Sequence, residues 1–317
     1  LYAGMENTTA TIFSDQYMID STAFVDKNYV NVNAHEMAHQ WFGNLVTEKD
    51  GNHHWLHEGF ATYYAYLAEQ YLFGDDHFYW KLYESLDQLK DQVDRGEGQS
   101  LLDPKASSLT FYEKGAWALF MLKSEVGEGA FRKGIKNYLE KFQFKNVTID
   151  DFLKEMETAS GKNLSGFRKE WLENKDFPFD KAREELSYKS SSLKLLSEME
   201  ADLKEAQSDD IDYAKYWDAT TSIHLKKHLL RNYDRSMLFD YMKKAFQSET
   251  IPIRQAMLEG ASFDNFLPKE YLMNLLEEDS YITQEMALFQ LWQGYPKDRA
   301  QYLEKTKDVI GLPNKNV

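Results

Sequence analysis

His35-Glu36-Met37-Ala38-His39 runs directly into Gln40-Trp41-Phe42-Gly43, and a short polar stretch later comes Trp55-Leu56-His57-Glu58-Gly59-Phe60-Ala61. The first of these reads H-E-x-x-H. On a helix of 3.6 residues per turn, residues i and i+4 share one face, so His35 and His39 can present two imidazoles to one cation. A zinc that performs chemistry takes three protein ligands and keeps one position open. Glu58, at the head of an apolar helix-like run from Phe60 to Phe73, is the best third ligand. Glu36 need not ligate. It stands where it can hold a water activated by the cation and take its proton. By chance, a chain with 8 histidines would contain this pattern on the order of two per cent of the time. The pattern and the downstream carboxylate together are therefore read as a site for one Zn2+ per chain, held by His35, His39 and Glu58.

His53, His54 and His57 lie close to Glu58 in sequence. Any one could be read as a ligand, but three ligands are already supplied. His57 also precedes Glu58 by a single residue, which turns it about 100° away on a helix. Supporting or surface roles are expected for all three.

The H-E-x-x-H, the 18-residue gap from 40 to 57 and the following glutamate make the gluzincin arrangement. With its flanks, H-E-M-A-H-Q-W-F-G-N and W-L-H-E-G-F-A, the sequence resembles the M1 zinc aminopeptidases, whose relatives include leukotriene A4 hydrolase. Ala3-Gly4-Met5-Glu6-Asn7 is similar to the G-A-M-E-N exopeptidase motif of that family, and Phe111-Tyr112-Glu113-Lys114-Gly115-Ala116 to its Y-x-K-G-A segment. The resemblance covers roughly residues 1–180. It departs at two points: His57 stands where the family usually has Asn, and the opening motif is A-G-M-E-N.

The resemblance implies the remaining roles. Glu6 would bind the free α-amine of a peptide substrate, with Gly4, Met5 and Asn7 in the substrate-binding stretch. Tyr112 would donate its hydroxyl to a developing oxyanion. On its own, Glu6 reads as an ordinary strand carboxylate, and Tyr112, one of 20 tyrosines, as a core or rim residue. The implied activity is aminopeptidase, with peptides bearing a free N-terminus as substrates. A thermolysin-like endopeptidase and a non-catalytic helical scaffold are the competing readings. The family carries a β-rich N-terminal domain ahead of this motif, whereas the chain opens at Leu1 directly on it. A partner domain of the same protein, missing here, is therefore expected.

Composition sets outer bounds. The 317 residues, 43% apolar and 15% aromatic, suffice for about two globular domains. Fifty-two acidic against 37 basic residues give a net charge of −15, which argues against nucleic acid and anionic membrane as partners. There is no cysteine, so disulfides and thiolate metal sites are excluded. No apolar run of about 18 residues suggests a membrane span. Cytoplasmic and exported locations are not distinguished.

Along the chain, residues 1–14 suit one or two short strands, and helices are expected from about Tyr29 to Phe42, from 55 to Phe73 and from His77 to Val93. Residues 44–54 read as a polar loop. Thr148-Ile149-Asp150-Asp151 reads as a capping box opening a helix that ends near Gly161. After about 180 the composition shifts. Ser190-Ser191-Ser192 looks like a linker, and seven or so amphipathic helices follow, suggesting stacked pairs. The expected fold is mainly α: a thermolysin-like (gluzincin) catalytic domain over 1–180, chiefly its helical lobe, then an α-helical C-terminal domain over 181–317.

Overall fold

The computed structural model describes residues 3–206, 212–233, 241, 243–248, 250–260 and 267–313. The parts of the expected C-terminal helical array that fall on 207–211, 234–240 and 261–266 lie outside the described residues. The chain forms two compact units: residues 1–13 with 30–191, and residues 14–29 with 192–317. Among the described residues no helix is long and apolar enough to cross a membrane.

The first unit is built on α2, Trp55–Phe73. Trp55, Leu56, Phe60, Ala61, Tyr63, Ala65 and Tyr66 are all buried, so this helix is apolar around most of its circumference and belongs in the middle of its unit. Its small residues let neighbours approach, and its aromatic ones fill the space between them. Phe60 stacks on Phe42 at 4.2 Å, and both Phe60 and Trp55 meet Phe152 edge-to-face. Each fully buried ring of this kind contributes roughly 1.5–3 kcal/mol.

Helix α1, Val30–Ala38, packs on α2. Asn31 near its start donates to Glu69 late in α2 at 2.7 Å, while His35 near its end meets Glu58 early in α2, so the two run antiparallel. Helix α3, Asp75–Asp94, follows α2 through Gly74, whose φ of 91° makes the reversal possible. Then come α4, Gly115–Val126, α5, Glu128–Phe142, and α6, Ile149–Ser160. The capping box at Thr148 forms as its sequence implies: Asp151 accepts from the Thr148 backbone, and the Thr148 hydroxyl accepts from the Asp151 backbone. Gly161 ends α6 in the left-handed conformation.

Local pattern does not carry everything. The expected helix to Phe42 ends at Ala38, because Gln40 and Trp41 tighten to i→i+3 hydrogen bonds and Gly43 turns the chain back onto Val46. The expected polar loop at 44–54 contains a strand, β3 at Val46–Glu48, which pairs in parallel with β4 at Lys145–Val147. Its partner is 99 residues away in register, which no local pattern reveals. At the N-terminus, β1 (Gly4–Met5) and β2 (Ile12–Phe13) form a short antiparallel hairpin.

Helix α7, Phe179–Lys189, belongs with the first unit although the sequence reading placed the boundary at 180/181. Its buried Ala182 and Leu186 pack it against α3. The helix ends at extended Ser190, and the division between the units falls between Ser191 and Ser192, within the serine run.

The second unit is helical: α8 (Ser191–Glu205), α9 (Tyr213–Asp218), α10 (Ile223–Asn232), α11 (Ile251–Gly260), α12 (Lys269–Leu275), α13 (Tyr281–Gly294) and α14 (Arg299–Thr306). Residues 14–29 belong to it because two carboxylates hold them there. Asp26 accepts from the Ser280 hydroxyl at 2.6 Å, the Gln255 amide at 3.1 Å and the Ile282 backbone N–H at 3.1 Å. Asp20 accepts from the Tyr281 hydroxyl at 2.6 Å.

Candidate metal centre

His35 and His39 project from the end of α1 toward the first turn of α2. The two Nε2 atoms lie 3.1 Å apart, and Glu58 Oε2 is 3.2 Å from one and 3.4 Å from the other. Ligand atoms on a tetrahedral zinc with bonds of ~2.0–2.1 Å stand ~3.3–3.4 Å from one another. The three atoms therefore already occupy one face of such a tetrahedron, and the donor set fits Zn2+. Of these side chains, only 12%, 2% and 10% of the surface remains exposed for His35, His39 and Glu58.

The tautomer is arranged as well. His39 Nδ1 lies 3.0 Å from the Phe42 carbonyl, to which it can only donate, leaving the Nε2 lone pair for a cation. The turn at 39–43 that ends α1 early is what brings that carbonyl round. Burial acts on Glu58 to raise its pKa, but its interactions with His35 and His39 outweigh this and hold the carboxyl well below its usual range. The charged carboxylate is the ligand form.

Glu36 lies on the same stretch, 5% exposed. Burial pushes its carboxyl up, drawn partly back by His35 and His39. Glu6 comes alongside: carboxylate oxygens of Glu6 and Glu36 and a ring nitrogen of His39 lie within 4.8 Å of one another. Two contacts place the strand that carries Glu6. Asn44 donates to the Glu6 carbonyl at 2.9 Å. Gly4 lies so close to Glu36 that a Cβ there would sit 2.3 Å from Oε1. Met5 and Asn7 are exposed beside it.

Tyr112 stacks on His35, ring centroids 5.4 Å apart and planes 6° from parallel. Burial, then the Glu58 carboxylate, push its hydroxyl well above the ordinary range, so it stays a protonated donor. It sits in a π-helical turn, Thr110–Lys114. Such turns are uncommon and need support. Here Lys114 supplies it: its buried ammonium donates to the carbonyls of Gln99 and Asn174 at 2.7 Å. Burial pushes Lys114 down to about 8, against the opposing charge of Asp176. The turn is joined to α2 by a close backbone crossing, where a Cβ on Gly59 would come 2.8 Å from the Gly115 Cα. That crossing brings Glu58 and Tyr112, each next to its glycine or nearly so, to the same place.

The sequence-derived residues His35, Glu36, His39, Glu58, Glu6 and Tyr112 thus fall in one region. Of the three further histidines, His53 accepts weakly from the Ile149 backbone, and His54 and His57 gather around Glu48. Glu48 escaped the sequence reading. It sits in what looks like a polar loop, and only its strand pairing turns it toward α2.

Residues 1–171 match the model of the peptidase family M1 domain. A leucyl aminopeptidase from Saccharolobus solfataricus is 35% identical over 189 residues, 56% of this chain and 24% of that protein. Aminopeptidase N from Lactobacillus delbrueckii subsp. lactis is 27% identical over 299 residues, 80% of this chain and 34% of that protein. Among solved structures, native leukotriene A4 hydrolase from Saccharomyces cerevisiae has the same fold, with a TM-score of 0.51 at 19% identity over 99% of this chain and 56% of that one. The chain spans about a quarter to a third of the length of these curated relatives. Since the family model covers more than half of its residues, the chain belongs to peptidase family M1.

Proposed function

We propose that the chain carries the catalytic centre of a zinc-dependent aminopeptidase, which hydrolyses the first peptide bond of peptides with a free N-terminus. One observation carries the proposal: three ligand atoms converge at 3.1–3.4 Å, with two further carboxylates, Glu36 and Glu6, beside them. His35, His39 and Glu58 would hold the zinc. When bound, zinc polarises the scissile carbonyl and makes water acidic enough to attack at neutral pH.

The chain's own residues supply the rest. Glu36, buried and not among the three converging ligands, takes the proton of the attacking water and passes it to the leaving amine. The Tyr112 hydroxyl donates to the oxygen on which negative charge develops. Glu6 pairs with the substrate's α-ammonium. Its carboxylate stands beside Glu36 and His39, where it would hold the substrate's amino end next to the metal centre, and for that reason an exopeptidase is favoured over an endopeptidase. A charge-assisted bond of this kind contributes about 1.5–3 kcal/mol. The relatives named aminopeptidase support the same assignment.

Elemental analysis together with substrate blocking tests it. One zinc per chain is expected, and His39→Ala should lose it. Free amino-acid amides should be cut and their N-acetyl forms should not, a preference that Glu6→Ala should erase. Equal zinc in wild type and His39→Ala removes the metal assignment. Equal cutting of free and acetylated substrates returns the site to an endopeptidase.

The contact at Gly4 yields a sharper expectation. A methyl there cannot coexist with Glu36 in its present place. Gly4→Ala should leave zinc binding intact and lower kcat/KM by ~10²-fold, the scale of a 1 Å misplacement of a reacting group. Steady-state kinetics alongside zinc content checks it. A near-normal rate would mean that the strand yields without moving Glu36.

A further inference from the structure

Beside the metal centre stands a second group of metal-ligand residue types that the mechanism does not use. Glu48 at the end of β3, His54 just before α2 and His57 in its first turn place a carboxylate and two imidazoles within 4.8 Å of one another. Their connections are specific. His54 Nδ1 is 3.1 Å from both oxygens of Glu48. On the opposite side of the ring, His54 Nε2 is 3.7 Å from Glu58 Oε1. The other Glu58 oxygen, Oε2, is the one that faces His35 and His39. A single imidazole therefore reaches two carboxylates, one of them a zinc ligand; with both ring nitrogens protonated it donates to Glu48 and holds Glu58 as an ion pair rather than by a hydrogen bond.

The group looks like a second metal site, but the His57 tautomer speaks against that. The Glu48 backbone N–H donates to His57 Nε2 at 2.7 Å. A nitrogen that accepts carries no proton, so the neutral ring has its proton on Nδ1, the atom turned to Glu48 Oε2 at 3.6 Å. That nitrogen has no lone pair to offer a cation. Without it only Glu48 and His54 remain, too few for a protein zinc site. The same contact shows what His57 does: it orients Glu48.

We infer that Glu48 and His54 are positioning residues for the metal centre, with His54, anchored on Glu48, holding Oε1 of Glu58 so that Oε2 stays turned to His35 and His39. The inference rests on the zinc reading above. A carboxylate's terminal torsion is broad and nearly two-fold, so a ligand glutamate with one free oxygen swings unless something holds the other. Outer partners of metal ligands typically contribute 10–100-fold in metal affinity. His54 also packs edge-on against Phe111, centroids 4.9 Å apart at 89°, and that contact must be separated from the polar one.

His54→Phe does so, since it keeps a ring beside Phe111 and removes both nitrogens. The experiment measures zinc affinity and zinc release rate by competition with a chromophoric chelator. It compares wild type, His54→Phe, Glu48→Gln, the double variant and the ligand variant Glu58→Gln, with the thermal midpoint of each metal-free protein as the packing control. His54→Phe and Glu48→Gln should each still bind one zinc at saturation, but about 10–100-fold more weakly and with faster release. Their metal-free midpoints should match wild type, and the double variant should be no worse than His54→Phe, because both act through one contact chain. Affinity in His54→Phe within about threefold of wild type overturns the inference, as do losses that follow a lowered midpoint. Two zincs per chain, the second lost in His54→Phe, would make the cluster a ligand set in its own right and overturn it too. If wild type and Glu58→Gln hold equally little zinc, the zinc reading falls and this inference with it. A zinc-binding wild type with an unaffected His54→Phe fails this inference alone.

Discussion

Glu36→Gln is expected to keep its zinc and lose its turnover, with kcat falling ~10²–10⁴-fold, the usual contribution of general base catalysis. The size of the loss follows from where Glu36 sits. It lies between the two histidines in sequence yet is not one of the three converging ligands, so replacing it should not empty the site. It is 5% exposed and covered by Gly4, so bulk water cannot easily substitute for it. Glutamine has the same shape and fills the same space against Gly4, so packing is preserved while the proton acceptor is gone. Burial pushes the Glu36 carboxyl up, with His35 and His39 drawing it partly back. The measurement pairs kcat on an amino-acid amide with zinc content by elemental analysis. A variant retaining more than about a tenth of wild-type kcat, or one that has lost its zinc, would take Glu36 out of this role.

Tyr112→Phe should cost ~10²–10³ in kcat, or about 2.7–4 kcal/mol of transition-state stabilisation, with KM nearly unchanged. The oxyanion exists only after attack, so a donor aimed at it acts on the rate and hardly on substrate affinity. The substitution is clean because the ring that stacks on His35 remains. The turn that carries it also has anchors of its own: Lys114 on the carbonyls of Gln99 and Asn174, and the Thr110 hydroxyl donating to Gln99 Oε1 at 3.0 Å. Zinc content and thermal midpoint should therefore stay at wild-type values. If kcat stays within about threefold of wild type, Tyr112 is only an aromatic packed on a histidine.

Much of the centre was legible in the linear sequence, and the reason is geometric. His35, Glu36 and His39 lie within one helical turn, so their relation is set by helix pitch alone. Glu58 follows at a spacing that, with its flanks, is specific to one family. The capping box at Thr148 and the stop at Gly161 are equally local: both depend on side chains within three or four residues of the backbone groups they satisfy.

What the tertiary structure decided depends on contacts between distant segments. Residues 14–29 read as part of the first domain, yet Asp20 and Asp26 hold them to Gln255, Ser280, Tyr281 and Ile282, more than two hundred residues away. Gly59 and Gly115 are ordinary helix residues in sequence. Only the crossing of α2 with the start of α4 shows that neither can carry a Cβ. Glu48 gains its place through a parallel pairing with residues near 146, and His54, already one helical turn from Glu58, gains its second carboxylate neighbour through it. The sequence by itself determined which residues could bind a metal and on which helical faces they stand, because pitch and capping are short-range. Only the tertiary structure decided what braces those residues, because bracing is done by segments that meet when the core closes.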